Sequence, residues 1–79
     1  MKTFEKLSAI IADVLSDIDP ALIRPDARFK EDLGAHSMDI VEMLYRTEEE
    51  FDISTEDADL ETMTRVGDIV EFIDHMLAA

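Results

Sequence analysis

Three stretches of this sequence repeat their apolar residues at steps of three and four, and that period restricts what the chain can become. Phe4, Leu7, Ile11, Val14 and Ile18 form the first stripe. Ile40, Leu44, Thr47 and Phe51, with Met43 at the edge, form the second. Val66, Ile69, Val70, Ile73, Met76 and Leu77 form the third. A spacing near 3.6 puts each set on one side of an α-helix, whereas a half-buried strand would alternate every second residue. No such alternation occurs. An apolar stripe on a helix has to be covered, and here only the other helices are available to cover it. The spacing therefore predicts an all-α bundle of three longer helices, with one short helix beside them.

The ends of these elements follow from local chemistry. Thr3 is the expected N-cap of the first helix. That helix should stop near Ser16 or Asp17, because Pro20 biases Asp19 away from helical backbone. Residues 17–36 then form a long connection, punctuated by Pro20 and Pro25. Ile23, Phe29 and Leu33 are the residues that can pin it to the core, as in a packed surface loop. Gly34 suits a tight turn just before the next helix. The second helix is expected over Ser37–Phe51, with Asp39 near its positive end. Ser54 or Thr55 should cap a short third helix at Glu56–Glu61, with Leu60 as its core contact. Thr64 is the expected cap of the last helix.

Composition narrows the function. The chain has 79 residues and is read as one domain, residues 1–79, with a thin core. It has no cysteine, hence no disulfide and no thiolate metal site, and His36 and His75 fit no zinc spacing. Twenty acidic residues against seven basic ones give a net charge of −13. That balance disfavours nucleic acid and steers the chain toward partners with basic patches. No apolar run is long enough for membrane insertion or a secretory leader, so a cytoplasmic monomer is expected.

The second helix has more than one face to explain. At about 100° per residue, with Ser37 at zero, its core stripe falls between roughly 280° and 340°. Met38, Val41, Glu42, Tyr45, Glu48 and Glu49 fall between roughly 20° and 140°. A helix with only a core to cover does not need this second surface of mixed apolar and acidic residues below a serine. On the far flank Glu42, Arg46 and Glu50 have the i, i+4 spacing of weak ion pairs.

Few kinds of chemistry fit. His36 and Ser37 are adjacent and point apart, which argues against a catalytic dyad. The acidic run from Asp52 to Asp59 lacks both the glycine and the bidentate glutamate of a calcium loop. What remains is a hydroxyl at a helix N-terminus, where free N–H groups and the helix dipole stabilise a phosphate. With no thiol of its own, a chain that carries reactive cargo must have the reactive group added. A phosphodiester on Ser37 meets both conditions.

At this point the residues resemble a known family. The run Ile23 to Glu42, above all Glu31-Asp32-Leu33-Gly34-Ala35-His36-Ser37-Met38-Asp39-Ile40-Val41-Glu42, resembles the acyl carrier protein signature. Glu48-Glu49-Glu50-Phe51 and Thr64-Arg65-Val66-Gly67-Asp68 resemble its later landmarks, spaced as in free-standing carriers. The resemblance implies a four-helix acyl carrier bundle that is not an enzyme. It implies that a phosphopantetheinyl transferase attaches 4′-phosphopantetheine from coenzyme A to Ser37. The arm would hold acyl groups as thioesters and present them to acyl-transferring, condensing and other biosynthetic enzymes with basic docking patches. Met38, Asp39, Val41, Glu42, Tyr45, Glu48 and Glu49 match the family's docking surface. Leu44, Thr47, Thr55 and Leu60 match the region of its acyl pocket. Two competing readings are an acidic helical binding protein that keeps the fold without a prosthetic group, and a small hydrolase built on Ser37.

The chain departs from the family pattern at a few places. His36 stands where Asp is usual, Met38 where Leu is usual, and Arg46 where a small neutral residue is common. Thr47 and Thr55 stand where aliphatic residues are common, which suggests a pocket of altered size or polarity. These departures suggest a specialised carrier, serving polyketide, modified-lipid or peptide assembly, rather than the housekeeping fatty-acid carrier.

Overall fold

A computed structural model describes residues 2–78. Three helices carry the architecture: α1 (Lys2–Val14), α2 (Ser37–Phe51) and α3 (Val66–Ala78). A short 3₁₀ turn at Pro20–Leu22 interrupts the first connection, its amide at Ala21 held by the Asp19 carboxylate at 3.0 Å. Among the described residues there is no strand, only an isolated antiparallel bridge between Arg28 and Arg65. The all-α expectation stands, and α2 has the predicted bounds.

The core is where the three stripes meet. Leu7 and Ile11 of α1 face Met43 and Thr47 of α2 and Val66, Ile69, Val70 and Ile73 of α3, all of them buried. Met43 therefore sits at the centre of the α2 stripe rather than at its edge. Ile40, Leu44 and Phe51 are only half-buried. Leu77 leaves the core face and is exposed, one residue from the end of α3. Polar ties join the helices at their margins. The Thr3 hydroxyl donates to Asp74 at 2.6 Å, so Thr3 lies inside α1 and links it to α3 instead of capping it. Lys6 lies over the Phe51 ring and 3.8 Å from Glu50. Arg46 pairs with Asp13 of α1 as well as with Glu42, so Glu50 takes Lys6 as its partner rather than Arg46.

The long connection is pinned as its isolated apolar residues suggest. Ile23, Phe29 and Leu33 are buried, and Ala27 and Ala35 are buried with them. Its backbone is also tied to the start of α3. Gly67 N–H donates to the Pro25 carbonyl at 2.8 Å, Val66 N–H to Ala27 at 3.0 Å, and Phe29 N–H to Thr64 at 3.0 Å. These bonds satisfy polar groups that a buried loop would otherwise leave unpaired. A side chain at position 67 would meet the Pro25 carbonyl oxygen at 2.9 Å, so the strap needs glycine there.

Further expectations change. Residues 56–61 do not form a short helix. The chain makes separate turns, closed by Ala58 N–H on the Thr55 carbonyl (3.0 Å) and Met63 N–H on the Asp59 carbonyl (2.9 Å). A segment this short cannot repay helix nucleation, and four acids in six residues repel one another. Thr64 does not cap α3 either. Its carbonyl serves the strap, while the Asp68 carboxylate caps the Arg65 N–H at 3.0 Å.

Candidate functional site: an exposed serine beside an apolar cavity

Ser37 is the first residue of α2 and is exposed. The segment that delivers it is closed on itself. Arg28 accepts at its carbonyl from the N–H groups of Asp32 (3.0 Å) and Leu33 (3.1 Å), and Ala35 N–H donates to Phe29 at 2.8 Å. Asp32 returns its carboxylate to the Arg28 N–H at 2.8 Å and to the Arg28 guanidinium at 3.2 Å. Gly34 turns the chain at φ +68°, a backbone state glycine enters without strain. His36 is the N-cap in extended conformation, and its N–H is held by Asp39 at 2.9 Å.

The ion pair with Arg28 and the Arg28 N–H hold the Asp32 carboxyl below the usual carboxylate range. A lowered carboxyl stabilises the fold above the ordinary carboxylate pKa, and that contribution is lost as pH falls through the lowered folded value. Asp32→Asn is thus expected to lower the melting temperature at neutral pH, with the difference from wild type disappearing in strong acid. Paired thermal melts across pH 2–7 check this window.

The first intrahelical bond of α2 runs from Ile40 N–H to the His36 carbonyl at 3.1 Å. The amides of Ser37, Met38 and Asp39 precede it and have no acceptor one turn back. A phosphate on the Ser37 hydroxyl would lie at the positive end of α2. The residues present therefore fit a phosphate-linked group at Ser37.

Ser37 also borders a cavity of about 530 Å³. Leu7, Met43, Thr47 and Ile69 make its buried floor, and Ile40 and Leu44 its half-buried wall. Exposed Lys30, Glu31, Val41, Leu60 and Glu61 stand at its rim. Of the residues expected at a pocket, Leu44, Thr47 and Leu60 come together here. Thr55 does not: its N–H and hydroxyl both donate to Glu48, at 2.8 and 3.1 Å. Phe29 and Met63 also line the space, and their only signal in the sequence is an isolated apolar residue inside a polar loop.

The second surface of α2 is present but partly engaged. Met38 and Tyr45 are strongly exposed, at 77% and 61%, and Val41 is exposed beside them. Three of the four acids expected there hold bonds within the chain. Asp39 caps His36, Glu42 pairs with Arg46 at 3.2 Å, and Glu48 holds Thr55. Glu49 makes no such bond among the described residues. No cluster of three acidic or histidine side chains able to hold a metal occurs among the described residues, and none of the helices there is long and apolar enough to cross a membrane.

Comparison with known proteins agrees with this geometry. Residues 5–73 match the family described as the phosphopantetheine attachment site. An acyl carrier protein of Helicobacter pylori (strain J99 / ATCC 700824) is 42% identical over 74 residues, covering 94% of each chain. An acyl carrier protein of Thermosynechococcus vestitus (strain NIES-2133 / IAM M-273 / BP-1) is 44% identical over 75 residues, covering 95% of this chain and 91% of its own. A helical bundle that presents a serine at a helix N-terminus, matched over nearly its whole length by such proteins, belongs to the acyl carrier protein family.

Proposed function

We propose that residues 1–79 form one carrier domain, that Ser37 receives 4′-phosphopantetheine from coenzyme A, and that the domain works as a cytoplasmic monomer. As a member of this family the chain is a carrier rather than a catalyst. The arm supplies a terminal thiol that holds acyl groups as thioesters. The chain's own residues do the rest. The loop closed by Arg28 and Asp32 fixes where Ser37 stands, α2 offers its positive end to the phosphate, and the neighbouring cavity shields apolar cargo from water. One observation carries the assignment: the exposed Ser37 is both the first residue of α2 and part of the cavity's border. Fragmentation of proteolytic peptides after transferase treatment tests it. The adduct is expected on the Ser37 hydroxyl, and an adduct on any other residue would overturn the assignment.

The partners proposed are a phosphopantetheinyl transferase and acyl-transferring, condensing and related enzymes of fatty acid, polyketide or similar biosynthesis. They would dock through basic patches on Met38, Asp39, Val41, Glu42, Tyr45, Glu48 and Glu49. Net charge of −13 supports fast, salt-sensitive encounter with such patches. The tether then raises the local concentration of cargo at each enzyme visited.

Arg46 works against that attraction, because it neutralises Glu42 on the docking side and Asp13 on α1. Arg46→Ala is expected to lower the transferase's KM for the carrier roughly two- to five-fold at low salt, with the gain vanishing at high salt. Initial rates at two ionic strengths measure this. A raised KM would show that Arg46 itself contacts the partner.

A further inference from the structure

Met38 stands apart from the other methionines of residues 2–78. It is 77% exposed, while Met43 is 3% exposed and Met63 and Met76 are half-buried. It follows Ser37 directly, in the first turn of α2. Among the described residues, the core and the apolar side chains packed against it do not include Met38. A change at its sulfur therefore costs the fold little. The chain has no cysteine, so no thiol of its own competes for a mild oxidant. Methionine is then the side chain that a peroxide attacks most readily, and exposure decides which one.

The step is a two-electron oxidation. The Met38 sulfur donates an electron pair to one oxygen of hydrogen peroxide, the O–O bond breaks, and that oxygen stays on sulfur as a sulfoxide. The other oxygen leaves as water with both hydrogens. The product is polar and chiral where the thioether was apolar and flexible. Its place gives the change a consequence. Met38, Val41 and Tyr45 are the large apolar residues that α2 exposes, and Met38 is both the most exposed and the nearest to Ser37. A helical side chain leans toward the N-terminus of its helix, so the Met38 sulfur belongs to the Ser37 end of that surface. An enzyme that modifies Ser37 has to approach over this neighbour. A sulfoxide covered by the enzyme must give up bound water, which a thioether does not.

We propose that Met38 is a reversible oxidation site, with a hydroperoxide as its oxidant, and that the sulfoxide slows modification of Ser37 without disturbing the fold. The inference rests on the carrier reading of Ser37 and adds a redox control to it. Reversal falls to methionine sulfoxide reductases, one for each epimer, which remove the oxygen as water at the expense of a dithiol.

The test uses the full chain without the arm, whose thiol would consume the oxidant. The chain is treated with limiting hydrogen peroxide, and peptide mass mapping locates the added oxygen. Initial rates with a phosphopantetheinyl transferase and melting temperatures are then recorded for treated and untreated wild type and Met38→Leu. Each chain is compared with its own untreated sample, so any effect of leucine on docking cancels. Of Met38, Met43, Met63 and Met76, Met38 is expected to take up oxygen first. Treated wild type is expected to show a KM for the carrier raised about three- to ten-fold, with an unchanged melting temperature. Treated Met38→Leu is expected to show no rise. Incubation with both sulfoxide reductases and dithiothreitol is expected to return the wild-type KM to its starting value. First oxidation at Met43, Met63 or Met76 overturns the proposal, and so does a KM unmoved by the Met38 sulfoxide. An equal rise in Met38→Leu, or a melting temperature that falls as KM rises, overturns it as well. In all these cases untreated wild type still accepts phosphopantetheine, so the carrier reading stands. An untreated wild-type chain that no transferase modifies overturns both.

Discussion

Ile11→Ala is expected to remove about 2–5 kcal/mol of stability, the usual cost of emptying a fully packed aliphatic site. Ile11 is 0% exposed and stands where the stripes of α1, α2 and α3 converge. A chain of this length has a total stability of only roughly 4–12 kcal/mol, so the loss is a large share of the whole. There is no disulfide to limit the damage. Urea unfolding followed by circular dichroism should show a lower midpoint with an unchanged slope. A change below about 0.5 kcal/mol would mean that the three stripes do not meet at Ile11.

Gly67→Ala is expected to destabilise the fold by about 1–3 kcal/mol, although alanine is the better helix former. Propensity favours alanine by about 1 kcal/mol in a helix interior and by less in the first turn. Against that, the added carbon would sit 2.9 Å from the Pro25 carbonyl oxygen, a backbone atom that cannot rotate away. The same carbonyl accepts the Gly67 N–H at 2.8 Å, so relieving the clash also stretches that bond. The strap then loosens at the end of the loop that delivers Ser37. A melting temperature lower by about 4–8 °C per kcal/mol is expected, together with slower modification of Ser37 by the transferase. An unchanged or higher melting temperature would show that the strap yields easily and does not position the serine.

These two sites differ in how far the sequence announces them. Ile11 belongs to a stripe of regular period, and such a stripe has one physical use in a chain of this size. The bounds of α2 were equally open to reading, because its first turn carries Ser37 and Asp39 and nothing inside it breaks a helix. Gly67 carried no local signal. Its reason is the carbonyl of Pro25, 42 residues earlier, and only the folded strap brings the two together. The same holds for Arg46, whose spacing points to Glu42 and Glu50 along its own helix while the bundle supplies Asp13 across from it. Only the family resemblance points to Thr55 as a pocket residue. Once the 56–61 segment forms turns instead of a helix, Glu48 takes both of its donors. Thr47 was visible as a polar residue on an apolar stripe. That its hydroxyl is bonded back to Met43 depends on a rotamer that no spacing encodes. Ser37 is the most legible feature of the site, because the run Glu31 to Glu42 around it resembles the family signature.

The most direct test is the intact mass of the chain after incubation with coenzyme A, magnesium and a broad-specificity phosphopantetheinyl transferase, beside Ser37→Ala and His36→Asp. The expected result is a gain of one phosphopantetheine by the wild-type chain and by His36→Asp, and none by Ser37→Ala. A wild-type chain that stays unmodified with several transferases, and whose His36→Asp variant stays unmodified too, would contradict the carrier assignment and leave a fold retained for binding alone.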